Sequence, residues 1–181
     1  MRAKRLFVSL DLPEAIAAAL VSLNPEVNGV RWLKLEQLHL TLAFLGNVEA
    51  RAEAELRTRL SAIQFHSFFL PLQGVGTFPG RGFPKVLWLG VGQGHPHLFQ
   101  LHKKVTDAAL AARLQPDLRP WHPHITLARC EHVSEARLRP FLRRHAEFDL
   151  GLVPINGFAL KSSLLTPAGS IYTDELTVLA S

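Results

Sequence analysis

Two short stretches hold residues that could do chemistry together: "LHLTLAFLG", opening at Leu38, and "PHITLAR", opening at Pro123. Each writes His, an aliphatic residue, Thr, Leu and Ala in that order. On a strand, a period of two puts His39 and Thr41 on one face and Leu40 and Leu42 on the other. His124 and Thr126 repeat the arrangement against Ile125 and Leu127. The apolar positions suit a core, whereas core packing gives no reason to repeat His and Thr. Two imidazoles facing each other across a groove suit phosphoester chemistry. One takes a proton from water while the imidazolium opposite gives one to the departing oxygen. A threonine hydroxyl two residues along the same face can hydrogen-bond a non-bridging phosphoryl oxygen without adding charge.

The elements that would hold these residues follow one grammar twice. "KRLFVSLD" reads as a strand and the stretch from Pro13 as a helix. A short strand over Val30 to Trp32 precedes "LHLTLAFL", which Gly46 and Asn47 close. "VEARAEAELRTRLSAI" supplies good helix formers, and "HSFFLPLQGVGTF" reads as a strand bent or interrupted at Pro71 and Gly74. After the Gly- and Pro-rich loop "PGRGFPK" the order restarts with "VLWLGV", the helix "HPHLFQLHKKVTDAALAARL" and "HPHITLAR". A helix capped by Ser134 and one strand, "FDLGLVPINGFAL", complete the second half. "SIYTDELTVL" adds a C-terminal strand over 170–179. The repeat predicts an α+β fold that is bilobal. Two pseudo-twofold-related lobes, each with an antiparallel β-sheet and flanking helices, would face a central cleft. The chain would form one such domain over 1–181, with repeat halves at about 1–80 and 84–165.

With 48% hydrophobic and 19% charged residues in 181, the chain has the profile of a folded domain and not of a disordered one. Its net charge of +5 makes a polyanionic partner the first to consider, although solvated Lys and Arg give the same balance. One cysteine, Cys130, excludes an intramolecular disulfide and any Cys-based metal cage, and fits a reducing compartment. Asp11, Pro13 and Glu14 break the N-terminal apolar run, and the other apolar stretches fall short of a bilayer span. The expectation is a soluble, untargeted, cytoplasmic monomer with no membrane contact and no obligate protein partner.

At "HLTL" (39–42) and "HITL" (124–127) the sequence resembles the 2H phosphoesterase superfamily, named for paired His-x-Thr-x motifs. More narrowly, "RLFVSLDLP", "VRWLKLEQLHLTLAFLG", "GVGTFP", "VLWLGV" and "HPHITLAR" resemble, in order, the RNA 2′,3′-cyclic phosphodiesterases, historically called 2′-5′ RNA ligases. The resemblance implies hydrolysis of a terminal 2′,3′-cyclic phosphate on RNA to a 2′-phosphomonoester, with no cofactor and no required metal. It implies that His39 protonates the leaving 3′ oxygen, that His124 is the general base, and that Thr41 and Thr126 hold phosphoryl oxygens. ATP-independent 2′-5′ joining of RNA would be the reverse direction of this chemistry.

Neighbouring residues are less clearly placed. Arg129, Phe44 and Arg81 could also contact substrate, although strict alternation puts Arg129 on the Ile125 and Leu127 face, away from His124 unless the strand end bends, and Phe44 on a core face of the first motif strand. Arg81 and Lys85, near Phe78 and Phe83, could give cations and stacking surfaces to RNA, or be a solvated loop. "RLRPFLRR" and "HKK" read as solvated helix faces. Two rival functions remain. His122, His124 and His39 could form a zinc site, although the position matching His122 in the first half is Gln37 and the threonines would then have no role. A non-catalytic RNA-binding module is the other, although both histidines are present.

Overall fold

The computed structural model describes residues 3–92 and 95–181. In chain order it contains β1 (Lys4–Asp11), α1 (Glu14–Val21), β2 (Val30–Trp32), a single 3₁₀ turn (Leu35–Gln37), β3 (His39–Val48) and α2 (Ala50–Ser61). Then come β4 (Phe68–Phe78), β5 (Val86–Val91), α3 (Pro96–Ala111), β6 (His124–Cys130), α4 (Glu135–Arg144), β7 (Asp149–Ile155), β8 (Gly157–Thr166) and β9 (Gly169–Leu179). The fold is α+β. Its strands pair antiparallel in the order β7-β4-β5-β6-β3-β1-β8-β9, with β2 beside β6.

The two motif strands, β3 and β6, meet at the middle of this order through one residue pair, Leu40 opposite Ile125. Both side chains are fully buried. Past this point the strands part, β3 continuing along β1 and β6 along β2 and β5. A cleft opens over the divergence.

The strand order also exchanges elements between the sequence halves. β4, which ends the first half, pairs with β5 and β7 of the second, and β8 of the second pairs with β1 of the first. β4 is continuous, and its register shifts at Pro71 to Gln73 and at Leu72 to Val75 mark where it leaves β7 for β5. The stretch "FDLGLVPINGFAL", expected as one strand, is two: β7 ends at Ile155 and β8 starts at Gly157. The two segments lie at different places in the sheet, β7 on β4 and β8 on β1 and β9. Ser134 is the N-cap of α4 but makes no side-chain capping bond.

Helices cover the face opposite the histidines. Leu56 and Leu60 of α2 and Leu98, Leu101 and Val105 of α3 pack in one core with Leu40, Leu42, Ile125 and Leu127, the residues that alternate with His and Thr. Leu138 and Phe141 of α4 close a smaller cluster with Leu87, Ala128, Cys130 and Val133. Ion pairs of Lys4 and Arg57 with Glu53 and Glu175, at 2.7–3.0 Å, tie α2 to β1 and β9. Among the described residues no helix is long and apolar enough to cross a membrane.

Candidate active site

A cleft of about 510 Å³ lies over the parting of β3 and β6, and His39, Thr41, His124 and Thr126 all line it. Its size is that of a ligand pocket. Each histidine is fixed by the carbonyl two residues before it: His39 Nδ1 lies 2.8 Å from the Gln37 oxygen and His124 Nδ1 lies 2.7 Å from the His122 oxygen. A carbonyl can only accept, so Nδ1 carries the proton in both rings and Nε2 is the lone-pair nitrogen of each neutral imidazole. Gln37 and His122 differ in side chain yet supply the same backbone group. The Thr41 hydroxyl lies 3.1 Å from His39 Nε2 and donates to it in that tautomer.

Aromatic rings brace both imidazoles. Phe7 and Tyr172 lie 5.0 and 5.3 Å from the His39 ring, and Phe78 lies 5.1 Å from the His124 ring. Trp88 supports Phe78 at 5.2 Å. The Trp88 ring lies across Gly76, where a Cβ would come within 2.3 Å of it, so "GVGTF" needs a glycine at that point for steric reasons. Burial sets the electrostatics. It pushes the His39 pKa down to about 4; the bond to the Gln37 carbonyl opposes it and the Lys161 cation adds to it. Burial likewise lowers that of His124, against the His122 carbonyl bond. Lys161 is itself buried, which works against its charge, but Asp11 at 2.8 Å and Asp174 at 3.1 Å hold its pKa above the ordinary lysine value.

Arg129 and Phe44 also line the cleft, contrary to strict alternation. In β6 the pairing with β5 passes from Thr126 opposite Trp88 to Ala128 opposite Leu87, leaving Leu127 as an extra residue. In β3 the pairing with β1 passes from Thr41 opposite Ser9 to Ala43 opposite Val8, leaving Leu42 as an extra residue. Each is a β-bulge, which inverts the phase of the side chains that directly follow it. Leu127 and Ala128 are therefore both buried and Arg129 returns to the histidine face; Leu42 and Ala43 do the same for Phe44, which is 55% exposed and not a core residue. Arg81 is exposed in the loop between β4 and β5 and does not line the cleft.

Arg5, Phe7, Ser163, Leu165, Ser170 and Tyr172 complete the cleft wall, none of them singled out by the motifs. They come from β1 and from the β8–β9 hairpin, where Ser163 faces Tyr172 and Leu165 faces Ser170 across the ladder. Alternation within "KRLFVSLD" and the chain's single Tyr were the available signals. Among the described residues no three His, Cys, Asp or Glu side chains converge as a cation site. The His122 ring packs on Phe78 and Trp88, at 5.3 and 5.2 Å.

Two imidazoles with matched tautomers, two threonine hydroxyls and an arginine line one cleft, the donors and acceptors that phosphoester chemistry would draw on. Residues 12–150 match the model of the 2′-5′ RNA ligase superfamily, and the chain belongs to that family. An RNA 2′,3′-cyclic phosphodiesterase of Aeropyrum pernix is 36% identical over 76% of this chain and 78% of its own. One of Archaeoglobus fulgidus is 32% identical over 94% and 97%. The crystal structure of Escherichia coli LigT complexed with 3′-AMP superposes with a TM-score of 0.82 at 29% identity, covering 99% of each chain.

Proposed function

We propose that the protein is an RNA 2′,3′-cyclic phosphodiesterase working by two-histidine acid–base catalysis. The observation that carries this reading is the shared tautomer: both rings are held by Nδ1 so that Nε2 carries the lone pair in each, that of His39 accepting from Thr41 in the free protein. In the hydrolytic step His124 Nε2 takes a proton from water as the water oxygen bonds to phosphorus. The bond from phosphorus to O3′ breaks, and His39 Nε2 gives its proton to O3′. The products are a 2′-phosphomonoester and a 3′-hydroxyl. Thr41, Thr126 and the Arg129 guanidinium offer donors to phosphoryl oxygens, which gain charge in the transition state.

Burial keeps His39 neutral near pH 7 in the free protein. A phosphodiester anion beside the ring favours the imidazolium and counters that burial, so the acid form accompanies substrate. Each positioned proton transfer contributes on the order of 10²–10⁴ in rate. The test is incubation with a short RNA ending in a 2′,3′-cyclic phosphate, with the product identified by mass and phosphatase sensitivity. A 2′-phosphate is expected; a 3′-phosphate would reverse the orientation of substrate between the histidines.

A further inference from the structure

Arg129 lines two cavities: the catalytic cleft and a neighbouring one of about 470 Å³. The second is also lined by Arg31, Lys85 and Phe83, with Glu131 as its carboxylate. Arg31 on β2 stands directly across from Arg129 on β6. Side chains opposite one another in an antiparallel pair share a face, with Cβ atoms about 4.5–5.5 Å apart, and like charges so placed repel. Among the described residues neither guanidinium takes part in an ion pair. Two adjacent, unneutralised arginines beside a phosphoester site are suited to an additional anion.

Phe83 supplies the second element. Its ring is 66% exposed, yet its loop is held on several sides. Glu135 N donates to the Gly82 oxygen, Lys85 N to the Phe78 oxygen and Cys130 N to the Lys85 oxygen, all at 2.8–2.9 Å. Arg31 is placed by close approach as well: at Gly169 (φ +121°) a Cβ would lie 3.1 Å from its Nη1. An exposed aromatic ring on a tethered loop, beside a row of cations, has the composition of a single-stranded nucleic-acid platform.

We propose that this second cavity is a subsite for the penultimate nucleotide of single-stranded RNA, which rests on the activity assigned above. A 2′,3′-cyclic phosphate ends the strand, so any further nucleotide lies on the 5′ side of the terminal ribose. The phosphodiester that leads to it sits between Arg31 and Arg129, and the penultimate base stacks on Phe83. The enzyme therefore distinguishes an RNA end from a free cyclic mononucleotide.

The experiment compares kcat/KM for 2′,3′-cyclic AMP and for an adenosine trinucleotide ending in a 2′,3′-cyclic phosphate. The native protein is expected to favour the trinucleotide at least about tenfold, in line with one stacked base and one phosphate contact. Arg31→Gln and Phe83→Ala are each expected to lower kcat/KM for the trinucleotide about 5- to 20-fold and to leave the mononucleotide within about twofold. Equal turnover of both substrates by the native protein, or equal losses on both by the variants, would overturn the subsite. Should neither substrate be turned over, the activity assigned above fails, and binding of the trinucleotide with a 3′-phosphate still decides the subsite. Arg31→Gln must then weaken binding and reduce the slope of log K against log salt by about 0.7. An unchanged slope would overturn it.

Discussion

Leu42 and Leu127 occupy the same place in two strands: each is the extra residue of a bulge that follows a His-x-Thr motif. Through them the side chains three positions after Thr41 and Thr126 turn back toward the histidines. The first motif strand thus presents Phe44 to the cleft and the second Arg129. The symmetry of the histidines is broken at that point, an aromatic ring standing on one side and a cation on the other.

Arg129→Ala is expected to lower kcat/KM on the cyclic phosphate about 10- to 100-fold, the scale of a lost charge-assisted bond to phosphate. Arg129→Lys should recover part of this, since lysine supplies the charge without the planar fork. Steady-state kinetics of the two variants checks it. Full activity in Arg129→Ala would remove the guanidinium from the site.

The kcat/KM of the free protein should follow a bell set by the two histidines. Burial lowers both pKa values below the ordinary 6.5, that of His39 to about 4. The maximum is therefore expected below pH 6.5, with a fall approaching about tenfold per pH unit above it. The kcat profile, which reports the complex, should lie at higher pH because the bound anion favours the imidazolium. A kcat/KM plateau reaching pH 8 would contradict the buried, neutral rings.

Folding stability should carry the same signature. Between pH 6.5 and about 4 the unfolded chain protonates at His39 while the folded chain does not, so the unfolded state binds more protons there. Stability then rises with pH across that window. The contribution is fully present above 6.5 and is lost as the pH falls toward 4. Urea unfolding at intervals through the window should show a shallower slope in His39→Gln than in the native protein.

Lys161→Met should raise the His39 pKa, because it removes a nearby cation and leaves the Asp11 charge unopposed. Proton NMR titration of the His39 ring, identified by its loss in His39→Gln, reads the shift. A downward movement would show that Lys161 does not act on the ring by its charge.

Leu40→Ala should destabilise the fold by about 2–5 kcal/mol, the usual range for a fully buried leucine. Leu40 also makes the one residue pair that joins the motif strands, so activity should fall with the surviving folded fraction held constant. Denaturant midpoints and activity per folded molecule separate the two effects.

The grouping of His39, Thr41, His124 and Thr126 in one cleft was legible in the sequence because alternation acts locally: His39 and Thr41 share a face whatever strand lies beside them. Strict alternation alone points Arg129 and Phe44 away from the histidines for the converse reason. A bulge is set by the register of the partner strand, here β5 or β1, and no letter in "HITLAR" or "HLTLAF" records it. Tyr172, Ser163 and Arg5 reach the cleft through pairings between distant segments, β1 with β8 and β8 with β9. The break at Asn156 is not legible in the sequence because both flanking runs are strands, and what differs is the neighbour each one takes.

In the proposed mechanism two histidines perform the proton transfers without a metal. Its most direct test is turnover of an RNA ending in a 2′,3′-cyclic phosphate, in excess EDTA, by the native protein and by His39→Ala and His124→Ala. Undiminished native activity with at least about a hundredfold loss in each variant is predicted. Activity abolished by EDTA, or retained in either variant, would contradict it.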